Sequence, residues 1–291
     1  MKQYKQALQH ILANGNDKSD RTGVGTRSVF GYQMRFNLQE GFPATTTKKL
    51  AWKAVTGELL WFLEGSGDER RLAEITHGTR DGVATIWTPN ALAPYWKPKA
   101  AYEGDLGRVY GVQWRNWRTV DQFWNPNKTS AISIPKVVDQ IQNLIDGIKN
   151  DPHGRRHILT AWNPGELDQM ALPPCHVLSQ FDVTDNRLSC QLYQRSCDMF
   201  LGVPFNIASY SLLTHIIARE CGLEVGDFVW TGGDCHIYNN HFDAVAEQLS
   251  RDERALPILE FETKPINEYV VSDFVLSGYD PHPAIKADMA V

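Results

Sequence analysis

The spacing of hydrophobic residues along the chain predicts several helices. Residues 48–65 are almost continuously apolar after two lysines, which predicts a largely buried helix that ends at Gly65. Residues 204–222 predict another helix, with proline near its start and glycine at its end, and residues 240–251 predict a third. In the N-terminal segment four apolar side chains recur at helical spacing: Tyr4, Leu8, Ile11 and Leu12. The segment 134–151 predicts an amphipathic helix with one apolar face: Val137, Val138, Ile141, Leu144, Ile145 and Ile148.

Shorter apolar or alternating segments predict strands. These segments are 28–38, 156–162, 176–183, 187–195, 227–234, 256–262 and 272–279. The sequence "TDN" (184–186) predicts a hairpin turn, and Gly232–Gly233 predicts a turn at the end of a strand. Residues 88–104 contain three prolines and predict an ordered surface loop. Because strands and helices mix without a regular βαβ alternation, the predicted fold class is α+β.

The composition narrows the class of protein. The chain has 291 residues, 42% of them hydrophobic and 22% charged, which is ordinary for a globular enzyme-sized protein. Its net charge of −5 argues against a general nucleic-acid binder, although a small anionic ligand needs only a local cluster of arginines. No apolar run reaches the length of a membrane span, and the amphipathic N-terminus does not resemble a signal peptide. We therefore expect a cytoplasmic protein with no membrane partner.

The five cysteines do not indicate a disulfide or metal framework. They are odd in number, and no two of them form a C-x-x-C pair. A cytosolic chain of this size rarely uses disulfides, and structural zinc usually requires paired ligands at short spacing. No metal is therefore expected, and most of the cysteines are expected to be small core residues.

Cys175 stands apart from the other cysteines. It lies in "ALPPCHVLSQF", after two prolines that hold the backbone extended and before a predicted strand. Arginines occur nearby in sequence, and a cation beside a thiol lowers its pKa. A buried structural cysteine is the ordinary interpretation, whereas a rigidly aimed thiol near cations favours a nucleophile. The residues alone leave both interpretations open.

Four arginines lie in turn-like or strand-end contexts. They are Arg21, Arg155, Arg156 and Arg195. Each could be an ordinary solvated or paired surface charge. The adjacent pair Arg155–Arg156 is harder to explain in this way, because two successive side chains of an extended segment splay to opposite sides. Arginine forks bind phosphate with two hydrogen bonds, and the hydroxyl of Ser196 could add another.

Three polar residues lie in otherwise apolar or extended segments. Asn206 falls inside the apolar helix 204–222, where an amide is either a satisfied core group or a group that contacts a ligand. A carboxamide presents a donor and an acceptor side by side, which matches the N3–H and O4 of uracil. His236 and Tyr238 are two apart on an extended segment and so share a face. They could bind a sugar hydroxyl at least as well as a metal.

Taken together, these motifs resemble the thymidylate synthase family over nearly the whole chain. The matching segments follow one another in order: "KQY", "DRTGVGT", "GFPATTTKKL", "ELLWFL", "VYGVQWR", "DPHGRRHILTAWNPGELDQMALPPCH", "LSCQLYQRSCDMFLGVPFNIASY", "GDFVWTGGDCHIYNNH" and "GYDPHPAIKADMAV". The resemblance implies one catalytic α+β domain, residues 1–291, with a large mixed sheet that packs against its twin in a homodimer. It also implies dUMP as substrate and 5,10-methylenetetrahydrofolate as co-substrate.

The resemblance also assigns roles to residues. Cys175 resembles the nucleophile that adds to C6 of the pyrimidine, and Glu58 and Tyr110 resemble the groups that handle protons. Asn206 resembles the residue that reads the base. The residues that resemble phosphate and ribose ligands are Arg21, Arg195, Ser196, His236 and Tyr238, with Arg155 and Arg156 donated across the dimer interface. The residues that fall where the folate is held are Trp87, Asp198, Leu201, Gly202, Phe205 and, in the C-terminal tail, Ala290. Asp198, Arg195 and Asn206 are also counted with the catalytic set.

Four positions depart from the usual pattern of the family. Thr88 stands where aspartate is usual, Arg108 where proline is usual, Gly57 where a larger residue is common, and Ser179 where an aromatic residue is frequent. Such changes could admit water near the transferred carbon, as in dUMP hydroxymethylases of phages, which give 5-hydroxymethyl-dUMP and tetrahydrofolate. A catalytically inactive homologue that only binds nucleotide or RNA is a third hypothesis. The retained Cys175, Glu58, Arg195 and Asn206 argue against the inactive homologue. The retained Trp87, Asn206, Tyr110 and C-terminal tail favour dTMP synthesis over hydroxymethylation. The resemblance implies the cytoplasm of a bacterium or of a phage-infected host.

Overall fold

The computed structural model describes residues 1–20 and 22–289, and the architecture is α+β, as predicted. Within these ranges the α-helices are α1 (Lys2–Asn14), α2 (Trp52–Glu64), α3 (Glu69–His77), α4 (Thr88–Ala91), α5 (Tyr110–Arg115), α6 (Gln140–Asn150), α7 (Gly202–Glu220) and α8 (Phe242–Ser250). The strands are β1 (Asn16–Lys18), β2 (Thr26–Asn37), β3 (Trp117–Trp124), β4 (Ala131–Val138), β5 (Ile158–Thr160), β6 (His176–Thr184), β7 (Arg187–Asp198), β8 (Glu224–Tyr238), β9 (Ile258–Glu260) and β10 (Val275–Ser277). No helix in the described ranges has the length and apolarity to cross a membrane.

A mixed six-stranded sheet organises the molecule. Its strand order is β1-β2-β8-β7-β6-β5, and every neighbouring pair is antiparallel except β7 and β8. A parallel pair needs a long crossover connection, and α7 supplies it. The parallel pairing places the carboxyl ends of β7 and β8 side by side, at the end of the sheet where β6 begins.

One face of the sheet carries the hydrophobic core. From Arg187 to Gln194 the side chains of β7 alternate between buried and more exposed positions, with Leu188, Cys190 and Leu192 buried beneath α7. The opposite face is open, and Gln33, Gln191 and Tyr193 lie on it. The sheet therefore has one face that is packed within the chain and one that is not.

The hairpin turn between β6 and β7 is confirmed. Asp185 and Asn186 adopt φ angles of +51° and +59°, the left-handed conformation that a two-residue hairpin turn requires. The predicted turn at Gly232–Gly233 is wrong, because β8 continues to Tyr238. A Cβ atom at Gly232 would lie 2.3 Å from the Trp230 ring and 2.5 Å from the Cys235 sulfur, so the glycine allows close packing within a strand.

Two predicted helix boundaries are wrong. Helix α2 begins at Trp52 rather than at residue 48, because the chain bends at residues 46–48 and Lys48 turns inward to donate to the Phe200 carbonyl. Gly65 ends this helix as predicted, with φ of +77°.

The predicted helix 134–151 divides at Asp139. Its carboxylate accepts a hydrogen bond from the Gln142 amide (3.0 Å) and caps α6. Val137 and Val138 belong to β4 instead, and Val137 is exposed. The remaining four predicted apolar positions of α6 are buried: Ile141, Leu144, Ile145 and Ile148.

The β3–β4 hairpin was not predicted from the sequence. Directly paired residues lie on the same face of a hairpin, so Phe123 and Ile132 lie on one face and Val120 and Pro135 on the other. Apolar side chains therefore fall on both faces. The strands therefore lack a clean alternation of apolar and polar positions, which is the signal that predicts a half-buried strand.

The segment 88–104 contains α4 and a series of turns. It is anchored by the buried Trp96, whose indole N–H donates to the Asp105 carbonyl (2.7 Å).

Candidate functional site

The sheet brings the predicted site residues of three strands to one end. Cys175 immediately precedes β6, Arg195, Ser196 and Asp198 lie near the end of β7, and His236 and Tyr238 end β8. The Arg195 amide donates to the Cys175 carbonyl (2.9 Å), and Asp198 is paired directly with His236 across the parallel strands. Residues distant in sequence thus become neighbours through strand pairing alone.

A second wall of the site comes from helices α2, α4 and α5. Tyr110, the first residue of α5, accepts a hydrogen bond through its hydroxyl from the Cys175 amide (2.7 Å). Its ring packs on Trp87 with centroids 5.8 Å apart and on His176 at 5.1 Å. Tyr110 has a φ of +21°, a strained value of the kind that accumulates at functional sites. Cys175 therefore lies between the strand wall and a buried aromatic wall.

The electrostatics of Cys175 only partly match the sequence prediction. Burial raises the pKa of the half-buried thiol above its ordinary value, while the Arg195 guanidinium and the Ser196 hydroxyl oppose that rise. The predicted cation is present, but it does not overcome burial in the ligand-free site. The thiol is therefore mainly protonated at neutral pH, with a charged partner already in place.

Glu58 and Trp87 form a buried acid–indole pair. The Trp87 indole N–H donates to a carboxylate oxygen of Glu58 (2.7 Å). Part of the Glu58 side chain reaches the surface, but its carboxylate is surrounded by protein, and burial raises its pKa to about 7 against the opposing indole hydrogen bond. The Glu58 carboxylate and the Cys175 thiol both lie close enough to Tyr110 to add to the rise that burial causes in the Tyr110 pKa. Glu58 can therefore gain or lose a proton at physiological pH.

Asn206 is held by a chain of amides beneath the strands. Its side-chain oxygen accepts from Gln194 (2.9 Å), and the oxygen of Gln194 accepts from the Trp230 indole (2.9 Å). All three side chains are buried. This chain directs the Asn206 amide nitrogen, a donor, away from Gln194. The neighbouring His176 is neutral at physiological pH, because burial lowers its pKa to about 4.

Arg195 is aimed by its own backbone surroundings. Its guanidinium donates to the carbonyls of Pro173 and Pro174 (2.9 Å each) and lies over the Trp162 ring, 5.4 Å from the centroid. The two prolines that precede Cys175 thus fix both the nucleophile candidate and its cation. Three guanidinium N–H donors remain for a ligand after those two bonds.

His236 and Tyr238 share one face of β8, as predicted from their spacing. The rings pack edge to face with centroids 5.1 Å apart, and a His236 ring nitrogen lies 3.0 Å from Asp234. Tyr238 also packs on His241 at 5.6 Å. The pair is therefore ordered beside the ends of β7 and β8.

The predicted folate residues surround the start of α7. Asp198 accepts hydrogen bonds from the amides of Phe200 (3.0 Å) and Leu201 (3.1 Å), which fixes the turn into the helix. A Cβ atom at Gly202 would lie 3.7 Å from both Asp198 and Asn206, so the glycine leaves space between two polar site residues. Leu201 and Phe205 are half-buried and add apolar surface beside the Asp198 carboxylate. An apolar surface with a hydrogen-bond acceptor suits a planar heterocycle that carries amino groups.

Arg155 and Arg156 lie apart from these residues. They are exposed and precede the edge strand β5, where they line an open cavity of about 760 Å³ with residues of α6. The Arg155 carbonyl accepts from Gln180 (3.4 Å), and the cavity lining includes neither Cys175 nor Asn206. The structure therefore does not bring these two arginines to the strand end within one chain. Two further predicted residues, Arg21 and Ala290, lie outside the described residues.

Two residues beside the site were not singled out from the sequence. Lys48 is buried, lies 3.6 Å over the Phe200 ring, and has a pKa that burial lowers to about 7 with Asp198 opposing. Trp162 supports Arg195 from below. The only sequence signal for Lys48 was a lysine pair before an apolar segment, and Trp162 resembled an ordinary core residue.

The four departures from the family pattern have partners or positions away from Cys175. Arg108 is buried against Glu166 (2.5 Å) and donates to the Asn116 carbonyl, and the Thr88 hydroxyl donates to Glu69 (2.6 Å). Ser179 is buried in β6, four residues or roughly 13 Å along the strand from Cys175. A Cβ at Gly57 would lie 2.6 Å from the Thr76 hydroxyl, so α2 and α3 need glycine there. The expectation that Arg108 holds water at the reacting carbon is not supported by this geometry.

Comparison with known proteins agrees with the arrangement. A family model described as "Thymidylate synthase" matches residues 2–291. Proteins named thymidylate synthase from three strains of Coxiella burnetii are each 54% identical to this chain over 293 residues, covering 100% of both sequences. Within the described residues, no group of three or more histidine, cysteine or acidic side chains is placed to hold a metal ion. With a strand-end thiol, its aimed arginine and a full-length match, the chain belongs to the thymidylate synthase family.

Proposed function

We propose that this chain methylates dUMP at C5 with 5,10-methylenetetrahydrofolate and releases dTMP and dihydrofolate. The observation that carries the proposal is the position of Cys175. Its backbone is fixed by Tyr110 on one side and Arg195 on the other, and a protonatable Glu58 lies on the opposite wall. This arrangement suits covalent catalysis on an electron-poor ring.

Cys175 is the nucleophile that adds to C6 of the pyrimidine. C5 of uracil is a poor nucleophile, and addition of a thiolate at C6 converts it into an enolate-like carbon. The thiol must first lose its proton. Arg195 and Ser196 favour the anion, so they offset the burial that otherwise raises the pKa of Cys175.

Glu58 and Tyr110 move protons on the opposite side of the ring. Glu58 has a pKa of about 7 and so populates both its charged and its neutral form at physiological pH. Tyr110 has a pKa raised well above its ordinary value by burial, so its hydroxyl stays protonated and acts as a hydrogen-bond donor or relay. Trp87 shields this region from water.

The remaining strand-end residues bind the nucleotide. Asn206 reads the uracil edge, with its nitrogen free to donate because Gln194 occupies its oxygen. His236 and Tyr238 bind the ribose hydroxyl. Arg195 and Ser196 bind the phosphate, together with Arg21.

The folate supplies the one-carbon unit and the hydride when it is bound. Trp87, Leu201 and Phe205 provide apolar surface for it, and Asp198 provides an acceptor for its amino groups. Gly202 keeps the space between Asp198 and Asn206 open. The tail residue Ala290 covers the bound folate.

We further propose that the enzyme is a cytoplasmic homodimer. The open face of the sheet carries Leu178 and Tyr193, a directly paired apolar and aromatic residue that a second copy would cover. Arg155 and Arg156 are exposed and line a cavity that does not include Cys175 of their own chain, so each pair completes the phosphate site of the partner chain. Unpaired thiols at all five cysteines suit a reducing compartment.

Neither the hydroxymethylase nor the inactive homologue is favoured as an alternative function. The hydroxymethylase hypothesis relied on Arg108 and Ser179 placing water near the reacting carbon, and both side chains have other positions. The family model and the relatives are also described as thymidylate synthases. An inactive homologue would have no need for the ordered Cys175, Glu58 and Tyr110.

The test is product analysis with purified protein, dUMP and 5,10-methylenetetrahydrofolate. We expect dTMP by mass and one dihydrofolate per turnover by absorbance. A product heavier by one oxygen, without dihydrofolate, would establish the hydroxymethylase. Absence of any product would favour the inactive homologue.

A further inference from the structure

The turn that carries Trp87 is held by a buried carboxylate outside the reacting groups. Glu69, the first residue of α3, is only 1% exposed. One of its oxygens accepts from the hydroxyls of Thr85 and Thr88, at 2.6 Å each. These two threonines flank Trp87 in sequence.

The same threonines also fix the backbone on either side of the indole. The Thr85 amide donates to the Thr88 hydroxyl (2.8 Å), and the Trp87 amide donates to the Thr85 hydroxyl (3.1 Å). Each hydroxyl therefore donates to Glu69 and accepts from a backbone amide of the turn, so the carboxylate is connected to the backbone on both sides of Trp87.

Arg70 neutralises Glu69 and connects it to the preceding loop. Its guanidinium donates to both oxygens of Glu69 (2.6 Å) and to the carbonyls of Arg80 (2.9 Å) and Val83 (3.0 Å). Burial alone would raise the pKa of Glu69, but the hydrogen bonds from Arg70, Thr85 and Thr88 outweigh it, and the pKa lies below its ordinary value. Glu69 is thus a charged anchor at neutral pH.

We propose that Glu69 and Thr88 are positioning residues for the reaction, which hold the Trp87 indole N–H against the carboxylate of Glu58. Neither residue is among those assigned to substrate or folate, and the inference rests on the proposed function only for its kinetic consequence. The Thr88 hydroxyl donates to Glu69, whereas a carboxylate at this position would meet Glu69 with like charge.

Three variants and one control separate positioning from stability. Thr88→Val keeps the shape of the side chain and removes the hydroxyl, and Thr88→Ser restores it. Glu69→Gln keeps the size and removes the charge. The control is Glu64→Gln. It removes a surface ion pair between Glu64 of α2 and Arg71 of α3 and leaves the Trp87 turn unchanged.

The first measurement follows the Trp87 indole N–H by NMR in tryptophan-labelled protein without folate. Trp87→Phe assigns the resonance by its disappearance. In the wild-type protein the resonance should titrate with a midpoint near the Glu58 pKa of about 7. In Thr88→Val and Glu69→Gln the indole donor that lowers this pKa is weakened, so the midpoint should rise by at least about half a pH unit. Thr88→Ser and Glu64→Gln should retain the wild-type midpoint.

The second measurement is steady-state kinetics with melting temperature. We expect kcat to fall between about tenfold and a hundredfold in Thr88→Val, as misplacement of a catalytic environment does. The Kd for dUMP should stay unchanged, and Thr88→Ser should recover most of the activity. If the Glu69→Gln protein does not fold, the Thr88→Val protein still tests the inference, because it retains the Glu69–Arg70 ion pair.

An unchanged indole midpoint in folded Thr88→Val protein would overturn the inference, as would a lower melting temperature with unchanged kcat. These results are distinguishable from failure of the proposed function. If the wild-type protein made no dTMP, the indole titration would still decide whether Glu69 and Thr88 set the environment of Glu58.

Discussion

The two groups of arginines in this chain are presented in opposite ways. Arg195 is half-buried, stacked over Trp162 and bonded to the carbonyls that precede Cys175. Arg155 and Arg156 are exposed beside the edge strand β5. One arginine is fixed within its own chain, whereas the other two are the arginines that we propose to act across a dimer interface.

The difference shows which part of the site one chain can build. Strand pairing and helix packing fix Cys175, Tyr110, Glu58 and Arg195 relative to one another without a ligand. Such pre-organisation reduces the entropy lost on binding. Among the described residues the exposed arginine pair has no comparable side-chain support, and in the proposed dimer a second chain positions it.

The largest effect should come from the preformed part, through Cys175→Ser. We expect turnover to fall by roughly 10³-fold or more, because a hydroxyl does not supply an anion at neutral pH. The Kd for dUMP should change little, because the Tyr110 hydroxyl accepts from the backbone amide of residue 175 and the substitution retains that bond. Single-turnover kinetics and calorimetric titration measure the two quantities. Near-normal turnover in this variant would contradict a covalent mechanism.

The exposed part is tested by mixing two inactive proteins. Cys175→Ser and Arg155→Ala homodimers should each have little activity, and subunit exchange should restore it in hybrid dimers that contain one complete site. With random exchange of equal amounts, recovery should approach roughly one quarter of wild-type activity per chain. The matched control replaces Cys175→Ser with the double variant Cys175→Ser/Arg155→Ala, which should restore nothing. No recovery after verified exchange would place Arg155 outside a shared site.

Glu58→Gln should separate catalysis from stability within the preformed part. Proton transfer by Glu58 is expected to contribute a factor of about 10² to 10⁴ in kcat. The pKa of Glu58 rises from 4.5 to about 7 on folding, so the wild-type protein loses up to about 3 kcal/mol of stability as pH rises through that window. The loss is absent below the unfolded value, where both states carry the proton.

The variant has no titrating group at this position and should therefore escape the loss. The difference in unfolding free energy between Glu58→Gln and wild type should grow in favour of the variant between pH 4.5 and pH 8. Denaturant unfolding at fixed protein concentration measures it, and common contributions from other groups cancel in the difference. A difference that does not vary with pH would show that Glu58 is not protonated in the folded protein at neutral pH.

Asn206→Asp should alter base choice with a smaller effect on overall activity. Gln194 can donate to an oxygen of either side chain, so the local amide chain remains intact. The atom left to face the base changes from an amide donor to a carboxyl oxygen, which suits the amino group of cytosine better. We expect the ratio of dCMP to dUMP efficiency to rise by at least about tenfold. An unchanged ratio would mean that Asn206 does not read the base.

Much of this arrangement was accessible from the sequence, and the failures have physical causes. Periodicity identified the buried faces of α1 and α6 and the strands β6 and β7, because these elements bury one consistent face. It missed β3–β4, whose apolar residues fall on both faces, and it placed Val137 in a helix. Sequence spacing marked Cys175 and Arg195 as candidates, but only strand pairing shows that they are adjacent.

The direction of the Cys175 pKa could not be read from the sequence. A nearby cation was predicted and found, but the sequence does not report how deeply the thiol is buried, and burial dominates. The same limit applies to Lys48 and Glu58, whose raised or lowered pKa values come from enclosure by residues distant in sequence. Chemistry that depends on residue type is visible in sequence, whereas chemistry that depends on solvent exclusion is not.

The smallest expected effect concerns Gly57, a departure from the family pattern that lies one residue before Glu58. Gly57→Ala would place a methyl group 2.6 Å from the Thr76 hydroxyl between α2 and α3, at an expected cost of about 1–3 kcal/mol in unfolding free energy. The double variant Gly57→Ala/Thr76→Ala removes the clashing hydroxyl, leaving a tight contact of 3.4 Å to the residue 76 Cβ, and should recover most of that loss. Denaturant unfolding measures both. If the double variant is no more stable than Gly57→Ala, the cost in unfolding free energy does not come from the Thr76 contact. The close approach of α2 and α3 would then not be the reason that glycine precedes Glu58.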